Sequence, residues 1–256
     1  MQENGSFILR ILIAGALTLA GWQAALAEVV HVAVAANFTA PAKTLAEMLK
    51  ATTGHEARLS FGATGAFYTQ IKQGAPFDVF MAADDARPRR LEQEGDIVPG
   101  SRFTYAIGQL VLWSARPGFV DDQGAVLKSG SFNKIAIANP KLAPYGAAAV
   151  EAMDKLGVAA ALQPKLVTGE SIGQTHNFIA TGNAELGFVA LSQVLEGGKL
   201  KGGSMWIVPG DYHAPIVQDV VLLGRGADNP AAKAWMALLR TPGTLDLIRS
   251  YGYAVQ

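Results

Sequence analysis

The sequence predicts an α/β fold with two lobes, each built on a mainly parallel sheet that is flanked by helices. Short β-rich runs alternate with helical patterns along most of the chain, and this order implies parallel strands joined by right-handed crossovers. Two longer β-rich runs interrupt the alternation, which suggests that the chain passes twice between the lobes. Half of the 256 residues are apolar and 16% are charged, as expected of a globular chain that buries a sizeable core.

The first set of elements follows residue 28. Its opening run, VVHVAVAA, is apolar and rich in valine, which favours a buried strand. Pro41 then suits the first turn of a helix, where no backbone N–H is needed. Two further strand–helix pairs follow the same pattern. The predicted strands are 29–36, 57–61 and 78–83, and the predicted helices are 41–53, 65–73 and 87–94.

A long predicted strand at 105–114 separates this set from a second one, and another at 216–225 precedes two closing helices. We therefore expect the second set to form a lobe inserted into the first. The predicted boundaries are 28–106 for the first part of lobe 1, 107–215 for lobe 2, and 216–256 for the return to lobe 1. The remaining predicted elements are strands at 134–138, 165–167 and 186–191, and helices at 146–156, 171–181, 231–239 and 245–251. A single continuous doubly wound domain is the alternative that the pattern leaves open.

Residues 1–27 have the features of a signal peptide. A weakly basic start is followed by an apolar run at 11–21 and by Ala25-Leu26-Ala27, which fits the A-x-A cleavage pattern. The run is short for a membrane span, although an uncleaved anchor is the alternative. We expect cleavage after Ala27 and, because no cysteine follows for lipid attachment, a free protein in a Gram-negative periplasm.

The charge balance and the cysteine count narrow the classes of function. The chain has 21 basic and 21 acidic residues and no cysteine. A disulfide scaffold, a thiolate metal site and a cysteine nucleophile are therefore excluded. Balanced charge gives no long-range field to hold nucleic acid or an anionic membrane. We expect no nucleic-acid partner, and any bound anion must be held by local groups.

Four loops between a predicted strand and a predicted helix share one chemistry. Each has small, hydroxyl or amide side chains just before a helix, where backbone N–H groups are free and the helix dipole is positive. Ligands of open α/β sheets bind beyond the carboxyl ends of the strands, so a cleft between lobes would bring these loops around one anion. Lys141 is the only basic residue in them, and we expect Glu170 to point away because it would repel the anion. The loops are 36–41, 61–65, 140–146 and 168–173.

Five segments, in this order along the chain, carry a family resemblance. They are 34–41 (VAANFTAP), 59–65 (LSFGATG), 74–84 (GAPFDVF followed by AAD), 137–146 (IANP through PYG) and 182–189 (GNAELGFV). The third of them is the most specific. On these motifs the chain resembles the molybdate-binding proteins of ABC transporters, and the likeness runs from about residue 29 to 253.

The resemblance implies a two-lobed periplasmic binding protein fold of type II. It implies a monomer that captures molybdate, and also tungstate, between the lobes and delivers the oxyanion to the membrane permease of an ABC transporter, without enzyme activity or a cofactor. The family's ligand contacts fall on Asn37, Thr64, Tyr145 and Ile172. The first two are expected to offer side-chain and backbone donors, and the last two mainly backbone N–H groups. Molybdenum would be held only as molybdate, through the same residues.

One position departs from part of the family. The enterobacterial branch has a tyrosine after its Leu-Gly-x-Val segment, where this chain has Ala190, so Tyr145 is the candidate to supply the missing donor. A site made of donors disfavours phosphate, which keeps a proton, but sulfate has the same charge as molybdate. A receptor for sulfate therefore remains an alternative, and one for ferric iron is disfavoured because the four loops offer only Tyr145 and Glu170 as iron ligands.

A secreted esterase is the distant alternative. The segment Gly169–Gly173 matches the G-x-S-x-G nucleophile elbow with Ser171 as nucleophile. It would need a histidine, yet His176 lies in the same predicted helix and His213 in a loop. The four histidines of the chain lie on separate elements without paired spacing, so we expect no metal site.

Overall fold

The structure is a computed structural model that describes residues 27–255. The predicted signal peptide therefore lies outside the described residues, except for Ala27. No helix in the described part of the chain is long and apolar enough to cross a membrane.

The described chain alternates strands and helices. The strands are β1 (Val29–Ala35), β2 (Glu56–Gly62), β3 (Val79–Met81), β4 (Phe103–Gly108), β5 (Leu110–Ser114), β6 (Ile135–Ala138), β7 (Leu166–Gly169), β8 (Leu186–Ala190), β9 (Leu195–Glu196), β10 (Lys199–Leu200), β11 (Ser204–Ile207) and β12 (Ile216–Leu222). The helices are α1 (Thr39–Thr53), α2 (Thr64–Lys72), α3 (Ala86–Gln93), α4 (Val126–Ser129), α5 (Pro144–Lys155), α6 (Ala159–Leu162), α7 (Ile172–Ala180), α8 (Leu191–Val194), α9 (Pro230–Leu238) and α10 (Pro242–Ser250). Short 3₁₀ helices occur at Ala36–Phe38, Gln163–Lys165 and Gly224–Gly226.

Two five-stranded sheets organise these elements. The strand order is β2-β1-β3-β12-β4 in the first sheet and β11-β5-β8-β6-β7 in the second. In the first sheet β12 is antiparallel to both of its neighbours, and in the second β5 is. The other strands of each sheet share one direction. The predicted α/β class with mainly parallel sheets is confirmed.

The chain passes between the sheets twice. Gln109 alone separates β4 of the first sheet from β5 of the second, and residues 208–215 lead from β11 back to β12. The predicted long strand at 105–114 is thus two strands in different sheets. Strand β4 stays with the first sheet to Gly108, two residues past the boundary predicted at 106.

Both faces of each sheet are covered by apolar side chains. In β1, Val32 and Val34 enter one core and Ala33 the opposite one. In β5, Leu112 and Val111 likewise enter opposite cores. Because successive side chains of a strand alternate between faces, continuous apolar runs are the pattern expected of sheets with helices on both sides. Residues that follow β1, β2 and β3 of the first sheet and β6 and β7 of the second line one cavity, so the carboxyl ends of these strands lie at the junction between the two sheets.

Several short elements were not predicted. Strand β11, the hairpin strands β9 and β10, and the helices α4, α6 and α8 span at most four residues each. Elements of this length span only about one turn of a helix or two periods of a strand, so hydrophobic periodicity does not reveal them.

Candidate functional site

The starts of three helices and the 3₁₀ helix after β1 meet at one small cavity. Its volume is ≈ 10 Å³, close to the ~10–15 Å³ that one water requires by this measure. All four predicted site residues line it. Of the residues that the structure describes, those around the cavity are Ala35, Ala36, Asn37, Gly62, Ala63, Thr64, Ala83, Ala143, Pro144, Tyr145 and Ile172. None of these side chains carries a charge.

Thr64 is the first residue of α2 and is buried. Its Oγ1 accepts a hydrogen bond from the backbone N–H of Ala83 at 3.0 Å. The oxygen is thus held by a neighbouring loop while the hydroxyl hydrogen remains available. The backbone N–H of Thr64 belongs to the first turn of the helix, where no partner exists within the helix. Thr64 therefore brings two donors to the cavity.

Asn37 lies in the 3₁₀ helix that follows β1, and it is also buried. Its Nδ2 donates to Gln218 Oε1 at 2.8 Å and to the Tyr253 hydroxyl at 2.9 Å. Its Oδ1 is buried and has no hydrogen-bond partner among the described residues. The side chain does not cap α1, and the Thr39 hydroxyl donates to the carbonyl of Ala36.

Tyr145 comes from the other lobe, in the first turn of α5 after Pro144. Its hydroxyl oxygen accepts a hydrogen bond from Gln218 Nε2 at 3.0 Å. Burial raises the pKa of the Tyr145 hydroxyl well above its ordinary value, so the phenol stays neutral at physiological pH. The backbone N–H of Tyr145, at the start of α5, is a further donor on this side.

Ile172 is the first residue of α7, and its side chain is buried in the core of the second lobe. Ser171 precedes it and caps the helix, with Oγ accepting from the N–H of Gln174 at 3.2 Å. Glu170 is exposed and does not line the cavity, in agreement with its predicted orientation. Ile172 thus presents a backbone N–H at the positive end of the helix dipole.

Two glycines permit this close packing. A Cβ added at Gly108 would lie 2.0 Å from the Tyr145 hydroxyl oxygen, and one at Gly146 would lie 2.2 Å from the carbonyl oxygen of Ala138. Only glycine fits at either position without displacing its neighbours. Ala190, by contrast, lies outside the cavity lining, and its N–H donates to Gln193 Oε1 at 3.0 Å.

A charged pair joins the lobes beside the cavity. Arg87 forms an ion pair with Asp84 and donates from Nη2 to the carbonyl of Lys141 in the second lobe at 2.9 Å. The backbone N–H of Gly65 reaches the adjacent Leu142 carbonyl at 2.8 Å. Burial raises the pKa of the Asp84 carboxyl, against the opposing effect of Arg87. The start of α2 is thereby fastened to the loop that precedes α5.

Larger grooves flank the small cavity. One of ≈ 520 Å³ contains Lys201, His176 and one side of Asn37, and another of ≈ 220 Å³ contains the carboxylates of Asp84 and Glu151. Glu151 and Lys201 are exposed, whereas Asp84 and His176 are partly buried. The small cavity differs from both because no charged side chain lines it.

The esterase alternative finds no geometric support at Ser171. The Oγ atom is engaged as the cap of α7. The His176 ring is stacked on Trp113 with 5.0 Å between ring centroids, and burial lowers its pKa. His213 Nδ1 lies 2.8 Å from the carbonyl of Ala214. Within residues 27–255, no group of three or more His, Cys, Asp or Glu side chains is placed to hold a metal ion.

The sequence did not reveal the residues that hold the site in place from outside the cavity. Gln218, Tyr253 and Ser192 form buried hydrogen bonds with Asn37, and Arg87 crosses between the lobes. One feature of the sequence could have indicated Gln218: it is a neutral polar residue within the otherwise mostly apolar run of β12.

Comparison with known proteins agrees with this architecture. A family model described as bacterial extracellular solute-binding protein matches residues 30–254. The molybdate-binding protein ModA of Azotobacter vinelandii is 61% identical over 233 residues, which cover 91% of this chain and 92% of the relative. The chain belongs to the molybdate-binding branch of the bacterial extracellular solute-binding proteins. The resemblance inferred from the loop motifs is confirmed.

Two more members of this family extend the agreement. The molybdate-binding protein ModA of Rhodobacter capsulatus is 58% identical over 233 residues, covering 91% of this chain and 90% of that protein. The solved structure of the Azotobacter vinelandii periplasmic molybdate-binding protein superposes with a TM-score of 0.86 at 42% identity, covering 89% of this chain and 99% of that one. The sulfate-binding protein SubI of Mycobacterium tuberculosis, at 14% identity and a TM-score of 0.69, shares the fold alone.

Proposed function

We propose that this chain is a periplasmic receptor that captures molybdate between its two lobes and delivers it to the permease of an ABC transporter. The observation that carries the proposal is the uncharged cavity at which the starts of α2, α5 and α7 meet. The names of the relatives point to the same ligand. Secretion by the signal peptide at 1–27, a monomeric state and transport of tungstate belong to the same proposal.

Neutral groups are sufficient to hold a dianion in such a cavity. Hydrogen bonds to a charged acceptor are about twice as strong as those between neutral groups, and each helix start adds the favourable end of its dipole. The Thr64 hydroxyl and the N–H groups of Thr64, Tyr145 and Ile172 are the donors that we assign to the oxyanion. The side chain of Asn37 completes the set, and the side chain of Tyr145 lines the same cavity.

The proposed donor set suits molybdate and tungstate better than phosphate or sulfate. Molybdate and tungstate are fully deprotonated at neutral pH, whereas phosphate keeps a proton that needs an acceptor. Sulfate carries the same charge but is smaller, so it would reach fewer donors from both lobes at once. The proposal therefore ranks molybdate and tungstate above sulfate and phosphate.

Binding requires movement of the lobes. The cavity holds about one water, and an ion with four oxygens needs more room. We propose that the two sheets move as lobes about Gln109 and residues 208–215, where the chain passes between them. No catalytic step is proposed, since Ser171 serves as the cap of α7.

The test is thermal melting of the mature protein with sodium molybdate, tungstate, sulfate or phosphate. At 100 times the dissociation constant a ligand stabilises the native state by about 2.7 kcal/mol. For a chain of this size that corresponds to a rise in Tm of roughly 5–10 °C. We expect this rise with molybdate and tungstate. A rise with sulfate and none with molybdate or tungstate would contradict the proposal and favour the sulfate receptor.

A further inference from the structure

Gln218 occupies a position where the lobes meet behind the cavity. It lies on β12, is fully buried, and pairs with Ala106 just before a register shift in the pairing of β12 with β4. Such irregularities re-aim side chains out of the regular alternation of a strand. Gln218 does not line the cavity itself, yet its amide contacts two residues that do.

Each end of this amide has its own partners. Oε1 accepts from Asn37 Nδ2 at 2.8 Å and lies 3.1 Å from the Tyr105 hydroxyl. Nε2 donates to the Tyr145 hydroxyl oxygen at 3.0 Å. One side chain of β12 therefore holds a loop of the first lobe and a helix start of the second at the same time.

The same heavy atoms support a second arrangement of hydrogens. If both amides turn by 180°, Gln218 Nε2 donates to Asn37 Oδ1, and Gln218 Oε1 accepts the hydroxyl hydrogen of Tyr145. Asn37 Nδ2 then takes the place of Oδ1, which before the turn is buried without a hydrogen-bond partner among the described residues. An unpartnered buried acceptor costs free energy, and an acceptor facing a dianion costs more. With the oxyanion bound, the turned pair removes both penalties, because Asn37 Nδ2 then donates to a charged acceptor.

We propose that Gln218 is a positioning residue for the oxyanion, turning in concert with Asn37 so that Asn37 presents Nδ2 to the ligand. This inference rests on the proposed function. An amide is required at position 218 because the residue must donate to Asn37 and accept from Tyr145 at once. A group that only accepts would fix Asn37 with Oδ1 toward the cavity.

Two kinds of ionisable group surround position 218, namely buried phenols and carboxylates that are paired with arginines. The neighbouring phenols have raised pKa values because they are buried, so they stay neutral below pH 8. The nearby carboxylates are paired with arginines. These groups are Tyr105 on β4, Tyr145 on α5, Tyr253 near the C-terminus, Asp219 with Arg102, and Asp84 with Arg87.

The experiment compares the wild type with Gln218→Glu and Gln218→Met by calorimetric titration with molybdate between pH 8 and pH 5.5. An ionised carboxylate only accepts, so at pH 8 we expect Gln218→Glu to weaken binding by about 100-fold, the size of a lost hydrogen bond to a charged group together with charge repulsion. A protonated carboxyl both donates and accepts, as the amide does. The loss of molybdate affinity in Gln218→Glu should therefore become at least about tenfold smaller by pH 5.5, since burial raises the pKa of a carboxyl.

Gln218→Met is the neutral comparison. It is similar in length and has no hydrogen to give, so we expect a loss of about tenfold that does not change with pH. Tyr105→Phe is the matched control, because it removes a hydroxyl that contacts the same Oε1 but does not line the cavity; its affinity should stay within threefold of the wild type.

Failure of the proposed function and failure of the inference on Gln218 give different results. No heat of binding with the wild type would contradict the proposed function itself. Wild-type binding together with equal losses for Gln218→Glu and Gln218→Met at every pH would overturn the inference alone. If Gln218→Glu does not fold by circular dichroism, Tyr145→Phe decides. A loss of affinity below about tenfold supports the turned pair, in which the hydroxyl faces Gln218, and a larger loss overturns it.

Discussion

The two lobes build their halves of the cavity by different means. In the first lobe, side chains set the geometry: Thr64 Oγ1 is fixed by the N–H of Ala83, and Asn37 is fixed by Gln218 and Tyr253. In the second lobe, backbone packing does so, with Gly146 pressed against the Ala138 carbonyl. The comparison indicates that the first half is sensitive to side-chain chemistry and the second to the position of a helix start.

The largest expected effect comes from crowding the second lobe. Gly146→Ala places a Cβ 2.2 Å from the Ala138 carbonyl oxygen, so the start of α5 must shift and carry the N–H of Tyr145 with it. We expect a loss of about 100-fold in molybdate affinity, since a donor displaced from a charged ligand loses ~1.5–3 kcal/mol. Titration calorimetry measures it.

Gly243→Ala is the matched control, because Gly243 also lies in the first turn of a helix and no atom lies within 4 Å of the added Cβ. It should bind as the wild type does. Equal affinities for Gly146→Ala and the wild type would contradict the inference that backbone packing determines the geometry of the second lobe's half of the site.

An intermediate effect is expected from the hydroxyl of the first lobe. Thr64→Val keeps the shape but removes the donor, so affinity should fall about 10- to 100-fold. It also leaves the N–H of Ala83 without its acceptor, which should lower the free energy of unfolding by ~1–3 kcal/mol. Thr64→Ser retains the hydroxyl and should stay within a few-fold of the wild type. A valine variant that binds as well as the serine variant would remove Thr64 from the site.

The smallest expected effect is at Ile172, which contributes a backbone N–H. Ile172→Val should leave molybdate affinity within about twofold of the wild type while lowering the free energy of unfolding by ~0.5–1.5 kcal/mol, the usual cost of a lost buried methylene. Denaturant unfolding and titration together separate the two quantities. A large loss of affinity without a loss of stability would show that the side chain touches the ligand.

The helix starts of the site were predictable because short-range signals mark them. Small and hydroxyl residues between apolar strands and helical patterns locate Thr64 and Ile172, and the parallel order of strands brings such loops to one edge. The hydrogen-bond partners of those residues were not predictable. Gln218 and Tyr253 reach Asn37 from distant parts of the sequence, and nothing local in a strand identifies a side chain that binds a loop across the fold.

The division of the predicted strand at 105–114 illustrates the same limit. Its apolar pattern is interrupted only at Gly108 and Gln109. Gly108 must lie against Tyr145 of the other lobe, and the chain changes sheets at Gln109. That contact depends on the closed arrangement of both lobes rather than on local propensity. Periodicity therefore located the crossing without revealing that two strands form it.

The most direct test of the account is a crystal structure of the mature protein grown with sodium molybdate, with the metal located by anomalous scattering at the molybdenum edge. The account predicts a single strong peak in the small cavity between Thr64, Tyr145 and Ile172, with no charged side chain in contact with the anion. A peak beside Lys201 and His176 in the larger groove would contradict it, because the ion would then be held by a cation instead of by neutral donors at helix starts.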